Sequence, residues 1–319
     1  SGFAVACIEE ALELRAAGIC QPILLLEGFY EASELIKIDE YQLDTVVHHQ
    51  YQVDALLSYT FKNPARIWLK MDSGMGRVGF SPETYRMVWE QINEHQSVRE
   101  IVLMTHFACA DEVQSSHATR QLETFNQYTM GLPGDRSLSN SAALVALSEA
   151  RSQWNRPGLL LYGISPFPIT CKALPALKPV MELSSAIISI KEVPEGSSIG
   201  YGACWVADQP TRLGTIAIGY ADGYPRHAES GTPVLINGHQ VPLVGRVSMD
   251  MVTVDLTNVT DVKIGDRAIL WGKGLSINEV ANGANTIPYQ LLCNLNRVPV
   301  EFLGQQVLSS EFSEAMVSV

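Results

Sequence analysis

The most constraining feature of this sequence is an alternation. Through the first half, short apolar runs take turns with segments whose apolar residues recur at helical spacing. The runs lie at 3–7, 23–26, 45–47, 67–71 and 101–106, with a weaker one before Asn140. Between them, residues 9–17, 51–59, 82–93, 119–128 and 142–150 read as amphipathic helices. Strand-helix alternation predicts a parallel sheet covered by helices. Periodicity leaves the run at 159–163 open between strand and helix. The last strand is therefore placed at 152–156, with a helix from about Gly158. That makes seven strands. A (β/α)8 barrel closes with eight, and seven leave an edge unpaired. The expectation is an α/β, TIM-type (β/α)8 barrel missing its first strand.

From about Lys178 the texture changes to short β-rich runs separated by turns. Asn237-Gly238 between apolar runs signals a two-residue hairpin. Ser276-Ile277-Asn278-Glu279 fits a capping box for a short helix, and Pro288 suits the first position of another. A chain of 319 residues is long for one compact core. The division expected is a cofactor-binding barrel at 1–176 and a mainly antiparallel β domain at 177–319. The Pro-rich stretch 166–179 is the linker.

Several function classes are disfavoured. A net charge of -12 argues against a nucleic-acid or anionic-membrane partner. No apolar run approaches the roughly 20 residues of a membrane helix. The opening Ser1-Gly2-Phe3-Ala4-Val5-Ala6 has no basic region and no initiator Met, so it reads as neither a signal peptide nor a natural start. The six cysteines form no CxxC pair, which predicts no metal site and buried free thiols in a reducing compartment.

Gly74-Met75-Gly76-Arg77-Val78-Gly79 matches the dinucleotide fingerprint G-x-G-x-x-G. Three features count against that reading. Ser81-Pro82 starts the helix after the third glycine, bulky Arg77 interrupts the supposed phosphate turn, and Glu100 precedes a strand instead of ending one. A tight glycine loop that positions an arginine is the better reading.

The same loop, Leu69-Lys70-Met71-Asp72-Ser73-Gly74-Met75-Gly76-Arg77-Val78-Gly79, resembles that of alanine racemases. So do Met104-Thr105-His106-Phe107-Ala108, Ser139-Asn140-Ser141-Ala142-Ala143, Arg156-Pro157-Gly158 and Tyr201-Gly202-Ala203. Ile218-Gly219-Tyr220-Ala221-Asp222-Gly223 and Gly245-Arg246-Val247-Ser248-Met249-Asp250 complete the set. The blocks run in family order over essentially the whole chain. One departure stands out. The family's cofactor lysine sits at the end of the first barrel strand, in a segment resembling Val-Lys-Ala-Asn-x-Tyr-Gly-His, which is not in this sequence. Lys37, Lys62 and Lys70 do not occupy that context. The lysine and the eighth strand are expected to be one absence, and an inactive truncated fragment is one of the alternative readings.

The resemblance implies a pyridoxal 5'-phosphate-dependent isomerase that interconverts L- and D-alanine by two-base proton transfer on an aldimine. It also implies a homodimer with sites shared across the interface, supplying D-alanine for the bacterial cell wall or serving alanine breakdown. A broad-spectrum racemase of the same fold is the alternative. Tyr201 matches the base acting in the partner's site; tyrosine's ordinary pKa of about 10 means that role needs a neighbour favouring phenolate. Arg156 matches the arginine facing the pyridine nitrogen. Being donor-only, it would leave that nitrogen unprotonated and the electron sink weak. His106 is placed between Tyr201 and Arg156. Arg77 matches the arginine touching substrate carboxylate and cofactor phenolic oxygen, and Lys70 a lysine that is carbamylated in many members. Asn140, Ser141, Gly158, Leu159 and Tyr289 match the cofactor and phosphate site, at helix starts rich in free N–H groups. Met249 matches a backbone contact to substrate with Asp250 beside it, while Tyr220 and Arg246 match the entry corridor. The location expected is the bacterial cytoplasm, with the periplasm left open.

Overall fold

The computed structural model describes residues 1–167, 174 and 177–303. These fall into two compact units, Ser1–Pro157 and Gly158–Leu303. Most of the stretch read as a linker, and residue 176 at the expected domain boundary, lie outside the described residues.

The first unit runs β1 (Phe3–Val5), α1 (Ile8–Ala16), β2 (Ile23–Leu25), α2 (Leu35–Glu40), β3 (Asp44–Val47), α3 (Gln50–Ser58), β4 (Ala65–Lys70), α4 (Pro82–Asn93), β5 (Val98–Met104), α5 (His117–Tyr128), β6 (Arg136–Ser137) and α6 (Ser141–Ala146). All strand pairs are parallel, and the sheet follows chain order from β1 to β6. Parallel strands in strict order, each followed by helix, are the TIM-type barrel architecture that the alternation predicted. Both faces of such a sheet are buried, which is why its strands read as continuous apolar runs. Leu24, Val46, Trp68, Val102 and Met104 pack together on one face. Their neighbours Leu25, Val47, Ile67, Leu69 and Leu103 are buried on the other.

The seventh run differs from expectation. Residues 152–156 lie alongside β6 but pair with it only through a bridge between Ser137 and Trp154. Trp154 N donates to Arg136 O and Arg156 N to Ser139 O, so the segment is extended without being a full strand. The sheet therefore has six strands, not seven. At its N-terminal end Arg66 joins Asp44 at 3.1 Å and Glu100 at 2.7 Å. Ion pairs there leave the C-terminal end, where barrel enzymes place chemistry, for the site.

The second unit begins with α7 (Gly158–Leu161) and continues through β7 (Leu183–Val193), β8 (Ser198–Ile199), β9 (Trp205–Val206), β10 (Thr211–Ile216), β11 (Pro233–Ile236), β12 (His239–Pro242), β13 (Val252–Asp255), β14 (Arg267–Trp271), α8 (Ile277–Gly283) and α9 (Pro288–Cys293). Its main sheet, ordered β12-β11-β14-β7-β10-β13, is antiparallel throughout. Asn237 (φ 49°) and Gly238 (φ 82°) make the hairpin turn joining β11 and β12, both left-handed as a type I′ turn demands. Ser276 caps α8 by accepting from Asn278 N, and Pro288 opens α9.

Five cysteines are free, and Cys171 lies outside the described residues. The expectation of buried thiols fails: Cys20, Cys204 and Cys293 are exposed, and Cys7 and Cys109 are partly so. No helix among the described residues is long and apolar enough to cross a membrane.

Candidate active site

The glycine loop after β4 is built around one carboxylate. Asp72 Oδ1 accepts from the backbone N–H of Gly74 (3.0 Å), Met75 (2.9 Å) and Gly76 (3.0 Å). Those bonds hold the Asp72 carboxyl below the usual range, against the opposing effect of burial. The N–H groups a dinucleotide phosphate would need are already engaged. At Gly79 (φ 135°) a Cβ would lie 2.5 Å from Asp72 N, so only glycine lets the loop return upon itself. Ser81 then caps α4, with Pro82 in its first turn. The loop is a display for Arg77, which is exposed.

Arg156 is held by carbonyl oxygens at the C-terminal ends of β5 and β6. Its Nη1 donates to Ser137 O (2.9 Å) and to Ser137 Oγ, and its Nη2 to Thr105 O (2.7 Å) and Leu138 O (3.1 Å). Burial lowers its pKa to about 10. Nη2 also faces His106 Nδ1 at 3.4 Å. Guanidinium only donates, so Nδ1 is the acceptor and the imidazole proton sits on Nε2. Burial first, then the charges of Arg156, Lys70 and Arg77, lower the His106 pKa to about 3. The ring is neutral at any ordinary pH.

Lys70 ends β4 and is 6% exposed. Burial, then the charges of Arg77 and Arg156, lower its pKa from 10.5 to about 8. A base whose folded pKa is depressed costs stability below that pKa, and the cost vanishes as pH rises towards the unfolded value. Wild type is therefore expected to gain about 3 kcal/mol relative to Lys70→Met between pH 8 and pH 10.5. Urea unfolding of both proteins at the two pH values, in carbon dioxide-free buffer, measures it. Parallel curves would refute the buried cation.

Arg77 and Arg156 are thus close enough for their charges to act on Lys70, and all three act on His106. Among the described residues none of the three has an ion pair with a carboxylate. A cluster of cations around a neutral imidazole, with Asp72 as the carboxylate whose charge acts on Lys70, fits a ligand bearing anionic oxygens. Nearby in sequence, Asn140 caps α6 by accepting from Ala143 N at 2.9 Å, and Ser141 is the first, buried residue of that helix.

The remaining expected site residues belong to the second unit. Gly158 starts α7, and a Cβ there would meet nothing within 4 Å. The side chain of Leu159 is in the unit's apolar core, and its carbonyl oxygen accepts from Tyr162 N and Ile164 N. Tyr289 follows Pro288 at the start of α9 and is 44% exposed. Tyr201 is 67% exposed, on a turn with Gly200 at φ 75° and Ala203 at φ 47°. Arg246 lies over that turn, with Nη1 3.4 Å from where a Gly202 Cβ would be. The blocks around Tyr220 and Met249 form one structure. Tyr220 N donates to Ser248 O and Ala221 N to Met249 O, and a Cβ at Gly219 would lie 2.3 Å from Met249 O.

Two residues escaped the sequence reading. Arg297 Nη2 bonds both Asp222 (3.1 Å) and Asp250 (2.6 Å), tying the Tyr220 turn to the Met249 turn. Gln121, on α5, bonds the loop after β5. No local signal marks Arg297. Gln121 carries a weak one: it is a polar residue on the helix's buried stripe with Ala118, Leu122 and Phe125.

A parallel barrel sheet with cations that lack an ion-paired carboxylate at its strand ends, followed by an antiparallel β unit, defines a two-domain barrel protein with a cationic candidate site. Comparison with known proteins narrows the class. Residues 1–166 match the family model "Alanine racemase, N-terminal domain" and residues 180–302 match "Alanine racemase, C-terminal domain". An alanine racemase of Pseudomonas taetrolens is 50% identical over 304 residues, covering 95% of this chain and 85% of that protein. A catabolic alanine racemase of Pseudomonas putida gives the same figures. The crystal structure of the biosynthetic alanine racemase from Pseudomonas aeruginosa matches with a TM-score of 0.89 at 46% identity, over 93% of this chain and 83% of that one. The chain belongs to the alanine racemase family, whose members are pyridoxal-phosphate-dependent isomerases.

Proposed function

We propose that this chain belongs to a protein that interconverts L- and D-alanine with pyridoxal 5'-phosphate, as a homodimer with shared sites, and that the reaction needs, besides the residues of this chain, the family's cofactor lysine, which this sequence does not contain. The observation that carries the reading is the Lys70–Arg77–Arg156 cluster, three cations without an ion-paired carboxylate, in a chain that matches both family domains. Arg77 would bind the substrate carboxylate and the cofactor's phenolic oxygen. Asn140, Ser141, Gly158, Leu159 and Tyr289 would hold the cofactor and its phosphate. Bound, the cofactor supplies the electron delocalisation that removal of an α-proton requires and that side chains lack.

The chain's own residues then act as follows. Arg156 has no acceptor capacity and keeps its proton, so it would hold a ring nitrogen in front of it unprotonated. Tyr201 would exchange the proton on one face of the α-carbon through its phenolic oxygen, in the partner subunit's site. Its exposure, and that of Met249, supports a role across an interface. Met249 would offer its backbone to the substrate, with Asp250 beside it. Tyr220 and Arg246 would line the approach. Lys70 would carry a carbamate: its low pKa enriches the free amine, which attacks carbon dioxide and loses a proton, and the resulting anion would orient Arg77 instead of repelling it. If so, the pH-dependent gain in stability expected for Lys70 disappears in bicarbonate buffer.

The experiment is to incubate the full-length protein and the cofactor with L-alanine and follow D-alanine by chiral chromatography. D-alanine should rise until the enantiomers are equal. Racemisation of larger amino acids at equal kcat/KM would favour the broad-spectrum reading. No racemisation of any amino acid, in protein shown by intact mass after borohydride treatment to carry a covalently fixed cofactor, would overturn the assignment.

A further inference from the structure

The loop carrying Arg77 and the loop carrying His106 lie at the ends of neighbouring strands, and their relative placement decides whether the cations converge. One buried side chain touches both. Gln121 is 1% exposed. Its Oε1 accepts from Ala108 N at 2.9 Å, and its Nε2 donates to His106 O at 3.0 Å. Nε2 also reaches Ser73 Oγ at 3.4 Å. The partners fix the orientation of the amide: a backbone N–H needs the oxygen, and a carbonyl needs the nitrogen. One turn earlier on the same helix face, His117 Nε2 donates to Gly74 O at 3.0 Å.

The network continues inward. Ser73 Oγ meets Thr105 Oγ1 at 2.8 Å, and Thr105 Oγ1 donates to Met71 O at 3.0 Å. Thr105 O in turn accepts from Arg156. Ser73 and Thr105 are both buried. A glutamine among Ala118, Leu122 and Phe125 is costly unless its polar atoms are satisfied, and here both are.

We propose that Gln121 is a positioning residue, one carboxamide that sets the register between the Arg77 loop and the His106 loop and so aims the cationic cluster. The proposal rests on the racemase reading for its effect on activity, but not for its effect on the loops. Helix α5 serves as a rigid splint behind two loops that would otherwise be independent. A displacement near 1 Å at a reacting site costs about 100-fold in rate.

The test compares wild type with Gln121→Met and Gln121→Glu. Methionine keeps the length and removes every bond. Amide exchange at Ala108 should then quicken at least about 10-fold, with residues 101–103 of β5 unchanged. In the same variant kcat should fall about 10- to 100-fold with little change in KM. Glutamate keeps the acceptor for Ala108 and, when protonated, one donor. Because burial raises a carboxyl's pKa, its kcat should approach wild type at low pH and decline as pH rises, unlike the methionine variant. Wild-type kcat in Gln121→Met would overturn the proposal. So would equal loss of protection across β5, which marks general loosening. If methionine prevents folding, the pH dependence of the glutamate variant decides alone. Should wild type show no racemisation, the functional reading fails while the Ala108 exchange still judges the splint.

Discussion

Tyr201→Phe is expected to lower kcat for racemisation in both directions by about 100- to 10,000-fold, the usual worth of a positioned general acid or base. Stability should move by less than about 0.5 kcal/mol, because the ring is 67% exposed and only a hydroxyl is lost. Full kcat in a folded variant would remove Tyr201 from the chemistry. A second arm asks where the tyrosine acts. Tyr201→Phe and Arg77→Ala chains, each inactive alone, are mixed and allowed to exchange subunits. If Tyr201 serves the partner, a heterodimer combines the intact Arg77 of one chain with the intact Tyr201 of the other. Activity should return to about a quarter of wild type, since half the dimers are mixed and each has one complete site. If Tyr201 serves its own chain, no combination restores a site.

Much of the fold was legible because it is written in periodicity. β1 to β5 lie within the apolar runs or within a few residues of them, and α4 spans the segment read for it. Where the signal is short it fails. α2, six residues preceded by a 3-10 turn at Ala32–Glu34, offers too few turns for a helical repeat and was not anticipated. The segment around Trp154, read as a strand from its place before the helix at Gly158, forms only one bridge, because pairing depends on backbone register that order along the chain does not encode. Turns fared better: Asn237-Gly238 carries its left-handed conformation in its own chemistry.

The site was legible through motif blocks and not through single residues. Nothing in the sequence says that Asp72 takes up three loop N–H groups, yet that is why the glycine loop displays an arginine and does not cradle a phosphate. Arg297 meets Asp222 across 75 residues of chain, and Gln121 meets His106 across 15. Such bonds exist only after the fold has brought their partners together.

Arg156 carries the other large expectation, because its structural and chemical demands can be separated. Alanine there would leave the carbonyl oxygens of Thr105 and Leu138 without their donor, while Ser137 O keeps the Thr105 N–H. Each buried unsatisfied group costs about 1–3 kcal/mol, set against a total stability of about 5–15 kcal/mol. Arg156→Ala should therefore unfold at much lower urea concentration, if it folds at all. Arg156→Lys keeps the charge and some donors but loses the planar fork, so it should recover part of the stability. Arg156→Glu changes the chemistry instead. Facing three carbonyl oxygens in a buried place, its carboxyl should stay protonated and be able to give its proton up to a ring nitrogen, which the guanidinium does not do. Relative to racemisation, transamination should rise in that variant, read as pyruvate formed per D-alanine. A folded Arg156→Glu protein with the wild-type ratio would mean that Arg156 serves only to hold the strand ends together.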